Sequence, residues 1–281
     1  MKSLLSGLAL VASLLATGAA WAGTLDDITK SGVLRAAYRE DAAPFAYKTA
    51  NGQPKGFMID LCQAVAKDLA QQLKVPGLKV EFVPVTTVNR LDAIRQNKAD
   101  LLCDSLTVTL ERRALVDFSI ATFVDGTSFA IRNDGPRDIQ QLGGKKSGVL
   151  AGTLTEEGLR RSLAATHIQS EIVTYKEPEQ AMAALEKGEI AAFFAGGAML
   201  GALIKDHKDA SRILLANTYL SIEPFGLAMR LGDTTFRLMA GEISEGQATG
   251  EIATIFSNNF GVNARPTPQL QTLYMLSALP D

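Results

Sequence analysis

Strand-like and helix-like segments alternate along this chain, and this alternation constrains its fold more than any other feature. The pattern runs once to about residue 126 and then repeats, which predicts two α/β units with sheets covered by helices. In such units ligands bind at the carboxyl ends of the strands. The predicted strands are 31–38, 78–82, 99–103, 147–150, 171–175, 190–195 and 212–216, and helical periodicity passes through 58–69, 91–94, the segment from about 155, 182–185 and 199–205.

A hydroxyl-rich motif, DSLTVTLERR at 104–113, follows one of the predicted strands. Ser105, Thr107 and Thr109 present spaced hydroxyl groups before two consecutive arginines. Thr109 can cap a short helix that has Glu111 in its first turn, which is a purely structural role. The alternative is a small anion held at the end of the strand, and the motif alone leaves both open.

A second motif, GTLTEEG at 152–158, follows another predicted strand. Thr153 and Glu156 have the spacing of a capping box, and Gly152 before them permits close backbone approach. The free N–H groups of such a helix start can also bind a carboxylate. Two motifs of this kind at strand ends in two units predict that they face each other across a cleft.

The first 22 residues have the pattern of a secretory leader. Lys2 provides a positive charge, 4–15 an apolar segment, and Ala20-Trp21-Ala22 a cleavage signal. The apolar segment is shorter than the roughly 20 residues that span a bilayer. Cleavage before Gly23 offers no cysteine for a lipid anchor, so we expect a free, soluble periplasmic protein.

Charge and reactive residues exclude several classes of function. Lys and Arg number 28 and Asp and Glu 30, a net charge of −2, which does not indicate a nucleic-acid partner. His167 and His207 have no partner at metal-ligand spacing, and no phosphate-binding loop or nucleophilic triad is present, so no metal or cofactor is expected. Cys62 and Cys103, in an oxidising compartment, form either a disulfide or two buried thiols.

The sequence resembles the family 3 solute-binding proteins, the periplasmic amino-acid receptors of ABC importers. The resemblance runs in order over the mature chain, and the segments that carry it are GVLRAAYREDAAPFAY, NGQPKGFMIDLC, NRLDAIRQNKADLLC, SLTVTLERR, VDFS, GKKSGVLAGT and EPFGLAMR. It implies an α/β, two-lobed periplasmic binding protein fold of type II, with two parallel-sheet lobes. Two strands cross between them, near 123–128 and 221–226.

The same resemblance implies how the chain divides and what it contacts. Lobe 1 would comprise 23–125 plus 226–281, and lobe 2 would comprise 126–225, with an amino acid enclosed when the lobes close. The closed form would be delivered to an inner-membrane ABC permease. We expect the receptor itself to be a monomer.

Carried over by position, Arg112 would bind the ligand α-carboxylate through its planar, bidentate guanidinium. Thr107 and Ser105 would add hydroxyl or backbone contacts, and Gly152-Thr153 of lobe 2 would close on the same carboxylate. Phe45 corresponds to the position that packs against the ligand, although a plain core aromatic is an equal alternative.

Two further arginines favour an acidic ligand. Arg39 and Arg90 lie where glutamate/aspartate-binding members carry arginines for the side-chain carboxylate, and Cys103 also resembles that branch. The alternative is that Arg39 or Arg90 is a solvated surface residue.

One position departs from the family. After IAAFF the family has an aspartate that pairs with the ligand ammonium, whereas this chain has Gly196 and Gly197. An unpaired, desolvated ammonium would cost several kcal/mol. Asp104 is our candidate substitute; alternatively the ligand lacks an α-ammonium, or the protein binds weakly.

Two other functions stay open on the same scaffold. A periplasmic enzyme similar to cyclohexadienyl dehydratase would need an acid or base in the cleft, for which Asp104 and Glu223 are the candidates. A sensor ectodomain is disfavoured because no transmembrane segment follows the predicted domain.

Overall fold

Two five-stranded β-sheets, each flanked by helices, organise the chain in the computed structural model. The structure describes residues 23–216, 218–241, 250–261, 266 and 268–277. The predicted leader, residues 1–22, lies outside this described part. Within it, no helix is both long enough and apolar enough to cross a membrane.

The strands and helices that the periodicity predicts are present, with ends that differ by a few residues, together with others that it does not predict. The strands are β1 (Val33–Arg39), β2 (Asp41–Ala42), β3 (Ala46–Lys48), β4 (Pro54–Lys55), β5 (Lys79–Val85), β6 (Leu101–Leu102), β7 (Val116–Asp125), β8 (Thr127–Arg132), β9 (Lys146–Leu150), β10 (Glu171–Tyr175), β11 (Ala192–Gly196), β12 (Ile213–Leu215) and β13 (Glu223–Arg230). The α-helices are α1 (Thr24–Ser31), α2 (Phe57–Gln72), α3 (Arg90–Arg95), α4 (Leu110–Arg113), α5 (Leu154–Ala165), α6 (Pro178–Lys187), α7 (Gly197–Lys205), α8 (Thr234–Gly241), α9 (Glu251–Phe260) and α10 (Pro268–Ser277).

The first sheet has the order β5-β1-β6-β13-β7. β1 pairs in parallel with β5 and β6, whereas β13 runs antiparallel to both β6 and β7. Helix α2 covers this sheet because Phe57, Leu61, Val65 and Leu69 repeat at helical spacing and are buried in its core.

The second sheet repeats this arrangement in the order β10-β9-β11-β8-β12. β9 pairs in parallel with β10 and β11, and β8 runs antiparallel to β11 and β12. Both sheets are therefore mixed rather than purely parallel. In each sheet the parallel strands are joined through helices, and the strands at which the chain passes between sheets run antiparallel.

The chain passes from the first sheet to the second at Gly126, between β7 and β8, and returns through the segment between β12 and β13. The two connections touch: a Cβ atom built on Gly126 would lie 2.2 Å from the carbonyl oxygen of Ser221. The Ser221 hydroxyl also accepts a hydrogen bond from the Thr127 N–H. Only glycine allows this approach. The close contact places the end of β7 beside the start of β13.

A disulfide joins α2 to the first sheet. Cys62 is on α2 and Cys103 directly follows β6, and both side chains are fully buried. The bridge therefore fixes the helix to the strand that leads into the hydroxyl-rich motif.

Candidate functional site

A cavity lies between the two sheets, at the strand ends where the predicted motifs meet. Seven of the nine predicted ligand-binding residues line it: Arg39, Phe45, Arg90, Ser105, Thr107, Arg112 and Thr153. The other two, Asp104 and Gly152, are not in its lining. Further lining residues that the sequence analysis did not assign to binding are Asp125, Leu150, Leu154, Thr155, Phe194, Ala195, Met199 and Phe225, together with Gly196 and Glu223.

Arg112 is positioned by the short helix α4. The Thr109 hydroxyl accepts a hydrogen bond from the Arg112 N–H, as expected for the helix cap, and the Arg112 guanidinium donates through Nη1 to the Thr107 carbonyl at 2.8 Å. The motif therefore forms a cap and also directs a guanidinium into the cavity. Burial, followed by the like charge of Arg90, lowers the pKa of Arg112 to about 10, so it remains a cation at neutral pH.

Arg90 is buried beside Asp104. Its Nη1 lies 2.5 Å from Asp104 Oδ2, and the second carboxylate oxygen of Asp104 accepts a bond from the Ser105 N–H. Burial opposes ionisation of Asp104, but the charges of Arg90 and Arg39 outweigh it and hold the pKa of that carboxyl below its usual value. Asp104 is fully buried and committed to these partners, so the structure does not bring it to the cavity as a partner for a ligand ammonium.

Arg39 also has an internal carboxylate partner that the sequence analysis missed. Its Nε and Nη2 donate to the two oxygens of Asp41 at 2.9 and 2.7 Å, a bidentate pair formed by the turn after β1. Arg39 is 3% exposed, so neither it nor Arg90 is a solvated surface residue. The signal that could have found this pair is the spacing of two residues, RED, at a strand end.

Two carboxylates also line the cavity. Asp125 ends β7 and Glu223 begins β13, and the two are paired neighbours in the ladder. The Glu223 carboxylate accepts bonds from the hydroxyls of Thr107, Thr127 and Ser221. Burial raises the pKa of Asp125 to about 6, an effect that backbone N–H donors only partly offset.

Apolar and aromatic side chains form the remaining wall. Phe45 is 1% exposed and its ring meets that of Phe225 edge-on, with centroids 5.3 Å apart. It therefore belongs to the core of the first sheet and to the cavity lining at once. Phe194 and Met199 approach from the second sheet and α7.

The start of α5 brings the second motif to the cavity. The Thr153 hydroxyl accepts a bond from the Glu156 N–H, and the Glu156 carboxylate accepts one from the Gly152 N–H. Thr153 lines the cavity, whereas Gly152 lies at the outer edge of the cleft, where a Cβ would be 3.8 Å from Thr87 Cγ2 of the first unit.

Comparisons with known proteins agree with this geometry. Residues 34–262 match the family of bacterial extracellular solute-binding proteins, family 3. The chain is 30% identical to an L-glutamate/L-aspartate-binding protein of Pseudomonas aeruginosa, over 85% of this chain and 80% of that protein. It is also 30% identical to a glutamate/aspartate import solute-binding protein of Salmonella typhimurium, over 92% and 87%.

Two solved structures are similar throughout. One is an ancestral arginine-binding protein bound to glutamine, with a TM-score of 0.72, 29% identity, and coverage of 82% of this chain and 98% of that one. The other is an ancestral amino acid-binding protein that is a precursor of cyclohexadienyl dehydratase, with a TM-score of 0.75, 28% identity, and coverage of 84% and 99%.

Proposed function

The chain belongs to the bacterial extracellular solute-binding proteins of family 3, and on that premise we propose that it is the periplasmic substrate-binding component of an amino-acid ABC importer. Its fold is the two-lobed α/β fold of type II periplasmic binding proteins. Its ligand is a polar, acidic amino acid of the glutamate/aspartate class, held between the lobes. It delivers the ligand to an inner-membrane permease without chemical change.

The observation that carries this proposal is the state of Arg112. Of the three cavity guanidiniums, Arg39 and Arg90 form ion pairs with carboxylates, and Arg112 forms none in the described part of the chain. A half-buried guanidinium that lines the cavity without an anion favours a ligand carboxylate, which it can bind bidentately. Arg112 therefore holds the α-carboxylate, with hydroxyl or backbone contacts from Ser105 and Thr107.

Arg39 and Arg90 then serve the ligand side chain. A guanidinium has five N–H donors, and Arg39 directs two to Asp41 while Arg90 directs one to Asp104. The remaining donors of these two cavity-lining groups are available to a side-chain carboxylate. The names of the Pseudomonas and Salmonella relatives support this choice of ligand. Because Asp41 and Asp104 balance part of the positive charge, glutamine is the necessary competitor in any test.

In this proposal lobe 1 comprises 23–125 plus 226–281 and lobe 2 comprises 126–225. Contacts between the two units support an enclosed ligand: Ala42 of the first packs in the core cluster of the second. An amino acid that touches Arg112 from one lobe and the start of α5 from the other stabilises the closed form by its greater affinity for it.

A second candidate is an acid–base enzyme on the same scaffold. Asp125, with its pKa of about 6, and Glu223 are two carboxyl groups facing one cavity, and a similar structure is a precursor of cyclohexadienyl dehydratase. Incubation with prephenate separates the two functions, because a binding protein returns it unchanged at the rate of a protein-free control.

Calorimetric titration of the chain from Gly23, refolded to remove carried ligand, tests the proposed function. The ligands are L-glutamate, L-aspartate, L-glutamine and L-arginine. We expect one site with a Kd of about 1 μM or tighter, near −8 kcal/mol, for the acidic amino acids. Binding of none of the four would overturn the proposal.

A further inference from the structure

We propose that the carboxylate of Asp125 is the acceptor for the ligand ammonium, and that it occupies the space that a side chain at position 196 would fill. This inference rests on the proposed function, because it assigns one more part of the same site. The chain has no acidic residue directly after β11, and Asp125, at the end of β7, supplies the carboxylate in its place.

The geometry around Gly196 carries the first step. A Cβ atom built on Gly196 would lie 2.6 Å from Asp125 Oδ2, a distance that real Cβ atoms do not reach. The backbone of Gly196 has φ −60° and ψ 138°, which any residue adopts. The main chain would accept any residue here, but its Cβ would have to displace the Asp125 carboxylate.

A side chain at the neighbouring Gly197 would also collide with another residue, in this case Tyr219. A Cβ atom on Gly197 would lie 2.7 Å from the ring of Tyr219 and 2.8 Å from its hydroxyl. The two glycines thus leave space that Asp125 and Tyr219 fill from other segments. Asp125 Oδ1 is fixed by the Ala198 N–H at 3.3 Å, at the start of α7.

The partners of the cavity carboxylates carry the second step. Glu223 already accepts three hydroxyl hydrogen bonds, and Asp104 is buried against Arg90 outside the lining. Asp125 has only backbone N–H donors, and it forms no ion pair with any described residue. A mostly buried carboxylate in this state is stabilised by a cation. Since Asp125 lines the cavity, that cation comes with the ligand.

The test is a titration of Asp125→Asn with L-glutamate and glutarate, and with L-glutamine and its deaminated counterpart glutaramate. The variant keeps the shape of the side chain and removes its charge. We expect affinity for each bound amino acid to fall about 30-fold or more. We expect the affinity for the deaminated acids to stay within a few-fold or to increase, because they bring no ammonium to the site.

Three further variants make the result specific. Asp117→Asn is the matched control, because Asp117 lies on the same strand but outside the cavity lining, and we expect wild-type affinity. Asp125→Ala combined with Gly196→Asp moves the carboxylate to the vacated space and should restore amino-acid binding. Asp125→Ala with Gly196→Ala, which fills the space without charge, should not.

The outcomes separate this inference from the proposed function. If the wild-type protein binds an amino acid and Asp125→Asn binds it equally well, or loses the deaminated acid to the same extent, the inference is wrong and the proposed function stands. If Asp125→Asn does not fold, the two double variants decide, and equal affinity in both contradicts the inference. If the wild-type protein binds none of the amino acids, both proposals fail.

Discussion

At the scale of single residues, some charged groups that line the cavity form ion pairs within the protein and others do not. Arg39 and Arg90 have Asp41 and Asp104 as partners, whereas Arg112 and Asp125 have no described partner of opposite charge. These two residues line the same cavity, so together they match a ligand with one carboxylate and one ammonium.

Arg112→Lys tests the role of the unpaired guanidinium. Lysine keeps the charge but loses the planar fork that binds a carboxylate bidentately, so we expect amino-acid affinity to fall about 10-fold or more, measured by calorimetry. Arg113→Lys is the matched control, because the adjacent Arg113 is exposed and does not line the cavity. Equal affinity of the two variants would contradict the role of Arg112.

The raised pKa of Asp125, about 6, predicts how binding depends on pH. A bound ammonium favours the ionised carboxylate and lowers this pKa, so affinity should be constant above about pH 7. Below pH 6, the affinity should decrease by up to about tenfold for each pH unit. Glu223 and Tyr219 interact with Asp125, and Glu177 across the cleft has a pKa raised by burial and by Asp41.

Comparison of wild-type protein with Asp125→Asn between pH 5 and 8 isolates this dependence, because the other three groups are common to both. The loss of affinity near pH 6 should be absent from the variant. The folding stability of the ligand-free protein should depend on pH in the opposite direction to ligand affinity. A raised carboxyl pKa contributes stability at low pH that is lost as pH rises through 6.

At the scale of elements, the periodicity of the sequence predicted the strands of the two five-stranded sheets other than β7, β8 and β13. The resemblance implied crossings near 123–128 and 221–226. A third, three-stranded sheet in the order β2-β3-β4 was missed because its strands have only two or three residues, too few to show a period. The burial of Asp104 against Arg90 was not predicted, because it depends on how α3 packs on β6. Asp125 was missed because its exposure to the cavity depends on two crossing connections that are distant in sequence.

The bridge between α2 and β6 gives a prediction for stability. The double variant Cys62→Ala with Cys103→Ala removes a disulfide between cysteines that are 41 residues apart in the sequence. The free energy of unfolding should fall by about 4 kcal/mol in the chain-entropy model, measured in urea. Neither cysteine lines the cavity, so the ligand affinity of the folded variant should stay near that of the wild type. Unchanged stability in the variant would show that the bridge does not constrain the unfolded chain.

At the scale of the whole molecule, the residues that line the cavity come from both units. Arg39, Arg90 and Arg112 belong to elements around the first sheet. Thr153 is the N-cap of α5 and Met199 lies on α7, and both helices cover the second sheet. Two connections join the units at Gly126 and before Glu223, so the units can separate without unfolding either sheet. In the proposed function, ligand binding and lobe closure form one equilibrium, which the ligand shifts only by its preference for the closed form.

Small-angle X-ray scattering with and without saturating L-glutamate tests this central claim most directly. We expect the radius of gyration to decrease when the amino acid binds, and Arg112→Lys at the same L-glutamate concentration to show a smaller decrease. A titration that shows tight binding with no change in the radius of gyration would contradict ligand enclosure by closing lobes.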